Sequence, residues 1–431
     1  MTQTVIKKLF KNASVLLSGQ VIASMMGLVS ISLAARMLGP NKFGIFAMIQ
    51  AYIVVVDKLL NFQSWQAVVK FGAGFHREDK KPQLQSLVKF CTLLDAITAV
   101  AAAVLAALIA VVVGRLAGWR HETIVAIVIF SGHILFSIYG TSNGLLRLFG
   151  RFKYISASKV AVAAIKLALV IAGYFLSAGL IGIVVIWVIC SAAESLFFIV
   201  AGWRQLGRKT GTGFLKAEIR KCLRDKILWK FVFSTNVEQS IRLASKELDI
   251  LVVGAALGTA ASGIYKIAKQ FASVLTRLTE PMCQVIYPEL SHLAAEANFA
   301  VMKSFMLKMS AISGVVMFTL WIFFLVLGKW VLNIAAGGEF LDSWAVASVL
   351  MFANVIWAVA FPLPAGLLAV GRAEKVMQVQ IISFLIFLPT LYFLLVNASL
   401  AVAAGAQILY FAVYALLMFM FFSRQIKGIQ Q

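Results

Sequence analysis

The chain has 431 residues, of which 61% are apolar and only 13% charged, with a formal net charge of +22. A soluble domain is nearer half apolar and a quarter charged, so this chain has too little polar surface to cover itself in water, and the bilayer is its expected solvent. The cations lie between apolar runs or inside them, so topology and a buried anionic ligand account for the charge better than nucleic acid does.

A crossing helix needs about 20 mostly apolar residues. In chain order the first half offers 14–37, 43–63, 88–113, 122–146, 153–177 and 179–203. The first of these lacks a small-residue cleavage signature and reads as a retained helix, not a signal peptide. Residues 205–228 then break the pattern with glycines and cations and read as a cytoplasmic linker. A surface helix lying on anionic headgroups is a compatible reading of the same stretch. The second half offers 229–256, 262–286, 306–328, 344–369, 374–396 and 401–422. Open sheet edges are not viable in lipid and these runs are too long for barrel strands, so all are expected to be helical. The expected organisation is a six-helix lobe over 1–204, the linker over 205–228, and a second six-helix lobe over 229–431 with a short cytoplasmic tail.

Lys and Arg in short loops set orientation. With the N-terminus in the cytoplasm, the inward segments hold clusters such as Lys7, Lys8 and Lys11, then Lys70, Arg77, Lys80 and Lys81, then Arg147 and Arg151, and most of all the linker. The outward segments hold only Arg36, Lys42, Arg115, Arg120 and Lys329. Both termini are therefore expected in the cytoplasm.

The halves echo each other. Leu38-Gly39 followed by Gly44-Ile45-Phe46 recurs as Leu257-Gly258 followed by Gly263-Ile264-Tyr265. Gly144-Leu145-Leu146 with Gly150-Arg151 recurs at nearly the same offset as Gly366-Leu367-Leu368 with Gly371-Arg372. An even number of spans per half makes the repeats parallel, related by an axis along the membrane normal, with a central cavity suited to alternating access.

Several charges fall inside spans. Glu238, Arg242 and Lys246 are spaced i, i+4, i+8 and share one helix face. The next span carries Lys266, Lys269, Arg277 and Glu280, and Lys166 sits mid-span in the first half. A central Lys or Arg costs about 2.5–3.5 kcal/mol on insertion scales, so these groups are expected to face a cavity or each other. Lys166, Arg242, Lys246, Lys269 and Arg277 are the candidate anion-binding residues. The alternative is structural pairing, of Glu238 with Arg242 and of Arg277 with Glu280. Lys166, Lys246 and Lys269 have no evident local partner in the sequence, and Lys266, near the outer end, has a snorkelling alternative. Asp249, Glu238 and Asp57 are the candidate ion-coupling carboxylates. Asp249 stands first because it follows the cationic stripe, whereas Glu238 pairs readily with Arg242 and Asp57 with Lys58.

Other chemistries are missing from the sequence. No GxxxxGK[ST] loop occurs, so the chain by itself is not an ATP-driven pump. His76, His121, His133 and His292 form no ligand set, and mid-span His133 reads as a packing histidine. Cys91, Cys190, Cys222 and Cys283 are scattered, with no close pair. No Ser–His–Asp grouping is legible, so the chain does not read as an enzyme, and no cofactor is expected beyond a coupling proton or sodium ion.

The stretch 34–46, with its second-half counterparts at 248–254 and 257–268 and the amphipathic Ala67-Val68-Val69-Lys70-Phe71-Gly72, resembles the polysaccharide-biosynthesis flippases. These belong to the multidrug/oligosaccharidyl-lipid/polysaccharide exporter superfamily and include the O-antigen flippases. The resemblance covers nearly the whole chain and is almost silent about the glycan. It implies two six-helix lobes in a V and a bacterial inner-membrane location. It also implies ion-coupled movement of an undecaprenyl-pyrophosphate-linked oligosaccharide to the periplasmic leaflet, for cell-surface polysaccharides such as lipopolysaccharide. Membrane lipids, a polysaccharide polymerase and assembly proteins are the implied partners. Twelve spans fit this branch, since the peptidoglycan-precursor branch usually carries two more. A drug or metabolite/cation antiporter of the same fold, and a non-transporting scaffold for polysaccharide assembly, are the alternatives.

Overall fold

The computed structural model describes residues 2–430 apart from 63, 117, 212, 245, 246 and 297. Side chains are described from residue 18 to 425, except 77, 215, 238, 239, 241–246, 275–285, 287, 288, 292, 295 and 373. Among the described residues there is helix and no strand. The helices run α1 (Thr2–Leu60), α2 (Trp65–Arg77), α3 (Lys81–Leu116), α4 (His121–Leu135), α5 (Gly140–Leu148), α6 (Phe152–Phe175) and α7 (Leu180–Thr210). Then come α8 (Arg220–Arg224), α9 (Lys226–Ala244), α10 (Leu248–Leu257), α11 (Thr259–Ala295) and α12 (Phe299–Ala336). The chain closes with α13 (Ser343–Ala360), α14 (Pro362–Ala369), α15 (Ala373–Asn397), α16 (Leu400–Ala404) and α17 (Ala406–Gln430).

Nine helical stretches among the described residues are long and apolar enough to cross a membrane. The first, Ser18–His76, contains two of the expected spans, because α1 bends at Gly39 and continues. The charged spans expected over 229–256 and 262–286 fall on α9–α10 and on α11. The twelve expected spans thus each have a helical counterpart. Large side chains such as Ile97, Val104 and Leu108 on α3 and Val315, Phe323 and Val326 on α12 are exposed, a surface that only lipid satisfies.

The internal repeat has a physical cause. Gly39 and Gly258 take φ of 68° and 86°, and Gly150 and Gly371 take 65° and 78°. Each pair occupies matching positions of the two halves, where a side chain would strain the left-handed backbone. The helix breaks match too: α4 passes to α5 around 136–139 as α13 passes to α14 at Phe361. The echo motifs also meet. A Cβ on Gly44 would lie 1.7 Å from the Thr259 carbonyl oxygen, and one on Gly263 would lie 2.6 Å from that of Pro40. The approach is reciprocal, since Pro40 and Thr259 follow Gly39 and Gly258. Ser262 adds a hydrogen bond, its Oγ donating to the Gly44 carbonyl at 3.3 Å.

Packing groups the chain into two compact units. One comprises Met1–Ala13, Ile31–Gly44 and Val252–Gln431, and the other Ser14–Ser30 and Ile45–Leu251. In the first, α13 packs on α11, α12 and α17, with a core including Leu290, Met302, Met306, Phe361, Leu367 and Met418. Side chains secure the backbone of this bundle: Asn354 Nδ2 donates to the Ala272 carbonyl at 2.9 Å and Ser313 Oγ to that of Ala358 at 2.6 Å. In the second unit, α2 packs on α3 and α5, and α7 on α4, α5 and α6. The linker docks on this unit. Phe214 and Leu228 are buried with Leu84, Leu87, Phe90 and Cys91 of α3 in one apolar cluster. Cys91, Cys190 and Cys222 are free thiols, and Cys222 Sγ lies 3.4 Å from Ser86 Oγ.

Candidate functional site

The interior of the second unit is polar where three helices are interrupted or kept close. At the end of α1, Asp57 is 3% exposed; Lys58 Nζ donates to its Oδ2 at 2.6 Å and Asn61 Nδ2 to its Oδ1 at 2.8 Å. The network continues through Asn61 Oδ1, which accepts from Thr98 Oγ1 at 3.2 Å, while that hydroxyl accepts from the Phe62 amide at 3.1 Å. Asp95 of α3 is fully buried. Its Oδ1 accepts from the Ser64 amide at 3.0 Å, and its Oδ2 accepts from the Thr141 amide at 3.0 Å and the Thr141 hydroxyl at 2.8 Å. One carboxylate thereby satisfies donors freed at the α1–α2 break and at the start of α5. Irregular backbone survives at membrane depth only with such partners.

Lys166 of α6 lies with its ammonium 5.1 Å from the Trp187 ring centroid, a cation–π contact. It is within electrostatic reach of Glu194, His133 and Cys190. The structure thus supplies the company that the sequence did not reveal. Glu194 is also within reach of Lys159, whose Nζ donates to Gln20 Oε1 at 2.6 Å. His133 Nδ1 and Ser191 Oγ are 2.5 Å apart, and the ring stacks on Phe130, so the packing reading of this histidine holds. In this unit Lys58, Lys159, Lys166 and Glu194 are half-buried, while Asp57 and Asp95 are buried.

The remaining candidates are on α9, α10 and α11. Asp249 is 4% exposed in the first turn of α10, and its Oδ1 accepts from the Ile250 amide at 2.8 Å. Lys269 is half-buried on α11. Lys266 is only 8% exposed, so it does not snorkel outward as its position near the helix start suggested. The side chains of Glu238, Arg242, Lys246 and Arg277 lie outside the described residues. Of the candidates, the structure pairs Asp57 with Lys58 and Asn61 and sets Lys166 of α6 against Trp187 of α7. Sequence reasoning missed Asn61, Thr98 and Thr141 in that network, because short polar residues carry no signal until their partners are known. Among the described residues no group of three or more His, Cys, Asp or Glu side chains is placed to hold a metal ion.

The family model described as polysaccharide biosynthesis protein matches residues 9–294. The inner membrane protein YghQ of Escherichia coli (strain K12) is 23% identical over 339 residues, covering 78% of this chain and 95% of that protein. Among solved structures, an inward-facing multidrug-resistance MATE-family transporter of the MOP superfamily aligns with a TM-score of 0.79 at 15% identity, over 97% of this chain and 99% of that one. A MOP-superfamily transporter from Pyrococcus furiosus, described as having a binding pocket of reversed polarity, aligns with a TM-score of 0.64 at 14% identity, over 99% and 96%. At such identities these structures establish the fold, and the family match establishes the lineage. The chain belongs to the polysaccharide biosynthesis protein family, is built as a multi-pass membrane protein, and has the fold of the MOP-superfamily structures.

Proposed function

We propose that the protein flips an undecaprenyl-pyrophosphate-linked oligosaccharide from the cytoplasmic to the periplasmic leaflet by alternating access, driven by an ion gradient. The observation that carries this reading is the family match over 9–294, within which cations recur inside spans, from Lys166 on α6 to Lys266 and Lys269 on α11. A pyrophosphate crossing a low-dielectric interior needs such counter-charges. Lys166, Arg242, Lys246, Lys269 and Arg277 are the proposed contacts for the pyrophosphate and any acidic sugars. Asp249 is the first candidate for the coupling proton or sodium ion, with Glu238 and Asp57 behind it, since Asp57 already pairs with Lys58. Coupling needs a group whose ion affinity differs between the inward- and outward-open states. A polymerase and other assembly proteins are the proposed downstream partners.

The test is transport of lipid-linked oligosaccharide in proteoliposomes under an imposed proton or sodium gradient. Asp249→Asn is expected to lose the gradient response and keep slow downhill movement; a wild-type response removes Asp249 from the coupling role. The second reading, a drug or metabolite/cation antiporter, is favoured by the fold shared with multidrug MATE transporters and by the carboxylates Asp57, Asp95 and Glu194. Gradient-driven uptake of an organic cation, with no movement of the lipid-linked glycan, would select it.

A further inference from the structure

The linker over 205–228 is clamped to α3. Gln85 Nε2 of α3 donates to the Thr210 carbonyl at 2.9 Å, Lys89 Nζ donates to the Ala217 carbonyl at 2.9 Å, and Ser86 Oγ donates to the Glu218 carbonyl at 2.5 Å. Phe214, Ile219, Cys222 and Leu228 face the apolar cluster with α3. Asp225 is spent as a cap for α9, its Oδ1 accepting from the amides of Ile227 and Leu228 at 2.9 and 3.0 Å. The described charged side chains of the segment are exposed, Glu218 among them. Arg208, Lys209 and Lys216 are exposed before the clamp ends, and Arg220, Lys221, Arg224 and Lys226 after it. None of these seven has a carboxylate within ion-pair distance among the described residues.

Between the last cations stand two aliphatic side chains, Leu223 at 50% and Ile227 at 73% exposure. The indole of Trp229 donates to the Leu223 carbonyl at 3.1 Å and fixes that turn. A signal that merely orients the chain needs positive charge, not a fixed backbone and exposed aliphatics. A polyanion in water, such as RNA, has no use for the aliphatics either. Phosphate and hydrocarbon coexist within one ligand at the surface of a leaflet.

From this we infer that the clamped segment 208–227 is a binding surface for anionic phospholipids of the cytoplasmic leaflet, phosphatidylglycerol or cardiolipin. The cations take the headgroup phosphates, and Leu223 and Ile227 dip into the acyl boundary. The surface is separate from the transport pathway proposed above and does not depend on the identity of the cargo.

The experiment uses the full-length protein in discs of phosphatidylcholine, titrated with cardiolipin and read by native mass spectrometry. Each cation near an anionic leaflet contributes about fivefold in affinity. The quadruple variant Arg220→Gln, Lys221→Gln, Arg224→Gln, Lys226→Gln is expected to bind cardiolipin more weakly by well over tenfold. Leu223→Ser with Ile227→Ser, which keeps every charge, is expected to weaken it several-fold. Lys80→Gln with Lys81→Gln, whose ammoniums are matched by Glu78 and Asp79, should leave it within about twofold. Wild-type binding by both linker variants overturns the inference. So does displacement of cardiolipin by inorganic pyrophosphate at equal concentration, which would mark a free-phosphate site. Tighter binding of a short single-stranded RNA than of cardiolipin would overturn it as well.

Discussion

A carboxylate buried without a cation is costly unless donors surround it, and Asp95 meets that condition with three. Asp95→Ala leaves the Ser64 and Thr141 amides without their acceptor, at about 1–3 kcal/mol for each orphaned group. The expected outcome is a clear drop in membrane abundance and in the melting temperature of the purified protein. Asp95→Asn, which keeps one acceptor oxygen, should lose less. Equal stability of the Ala variant and wild type would mean that water replaces the carboxylate. Lys166 poses the opposite case, a cation set against Trp187 and within reach of Glu194. We expect Lys166→Ala to lower transport about tenfold, the loss of roughly one charge-assisted contact, at unchanged abundance. Lys166→Glu should be worse and Lys166→Arg milder. If Lys166→Ala instead loses abundance with no change in transport per molecule, its role is packing. The sequence placed both residues inside spans but said nothing of their partners. Ser64 and Thr141 are far from Asp95 along the chain, and hydropathy does not register a hydrogen bond.

At the scale of elements, the glycines of the repeated motif decide how α1 meets α11. Backbones in lipid approach closely only over small residues. Gly44→Ala puts a methyl group 1.7 Å from a carbonyl oxygen, a distance that forces the helices apart. Its expected effect is a melting temperature several degrees lower, from a strain of about 1–3 kcal/mol. Gly27→Ala is the control, since a Cβ there meets nothing within 4 Å, and it should be neutral or slightly stabilising. A Gly44→Ala protein as stable as the control would show that the two helices part easily. The recurrence of these glycines was legible in the sequence; their mutual contact was not, because an echo fixes equivalence between halves without saying what touches. Helix breaks were less legible still. Span 122–146 reads as one apolar run, yet α4 ends at Leu135 and α5 begins at Gly140, and the buried acceptor of Asp95 makes the interruption tolerable.

For the whole molecule the decisive measurement is topology. Reporter fusions after Lys80, Arg151, Leu215 and Ala373 are expected to read cytoplasmic, and fusions after Ala117, Ala178, Ala335 and Ala398 periplasmic. The asymmetry of Lys and Arg between alternate loops motivates this. Two or more exchanged reporters would break the twelve-span order. The sequence by itself determined that the chain is helical and crosses the bilayer repeatedly, because long apolar runs leave backbone groups no other way to pair. It also determined the repeat, since left-handed turns at matching places demand glycine. Only the tertiary structure decided which polar residues meet. It joined Asn61 and Thr98 to the Asp57–Lys58 pair already legible in the sequence, set Lys166 on Trp187, buried Lys266, and clamped the basic linker to α3. Local sequence fixes which side of a helix is apolar, but the partner of a buried charge is chosen by a neighbour that folding alone brings into reach.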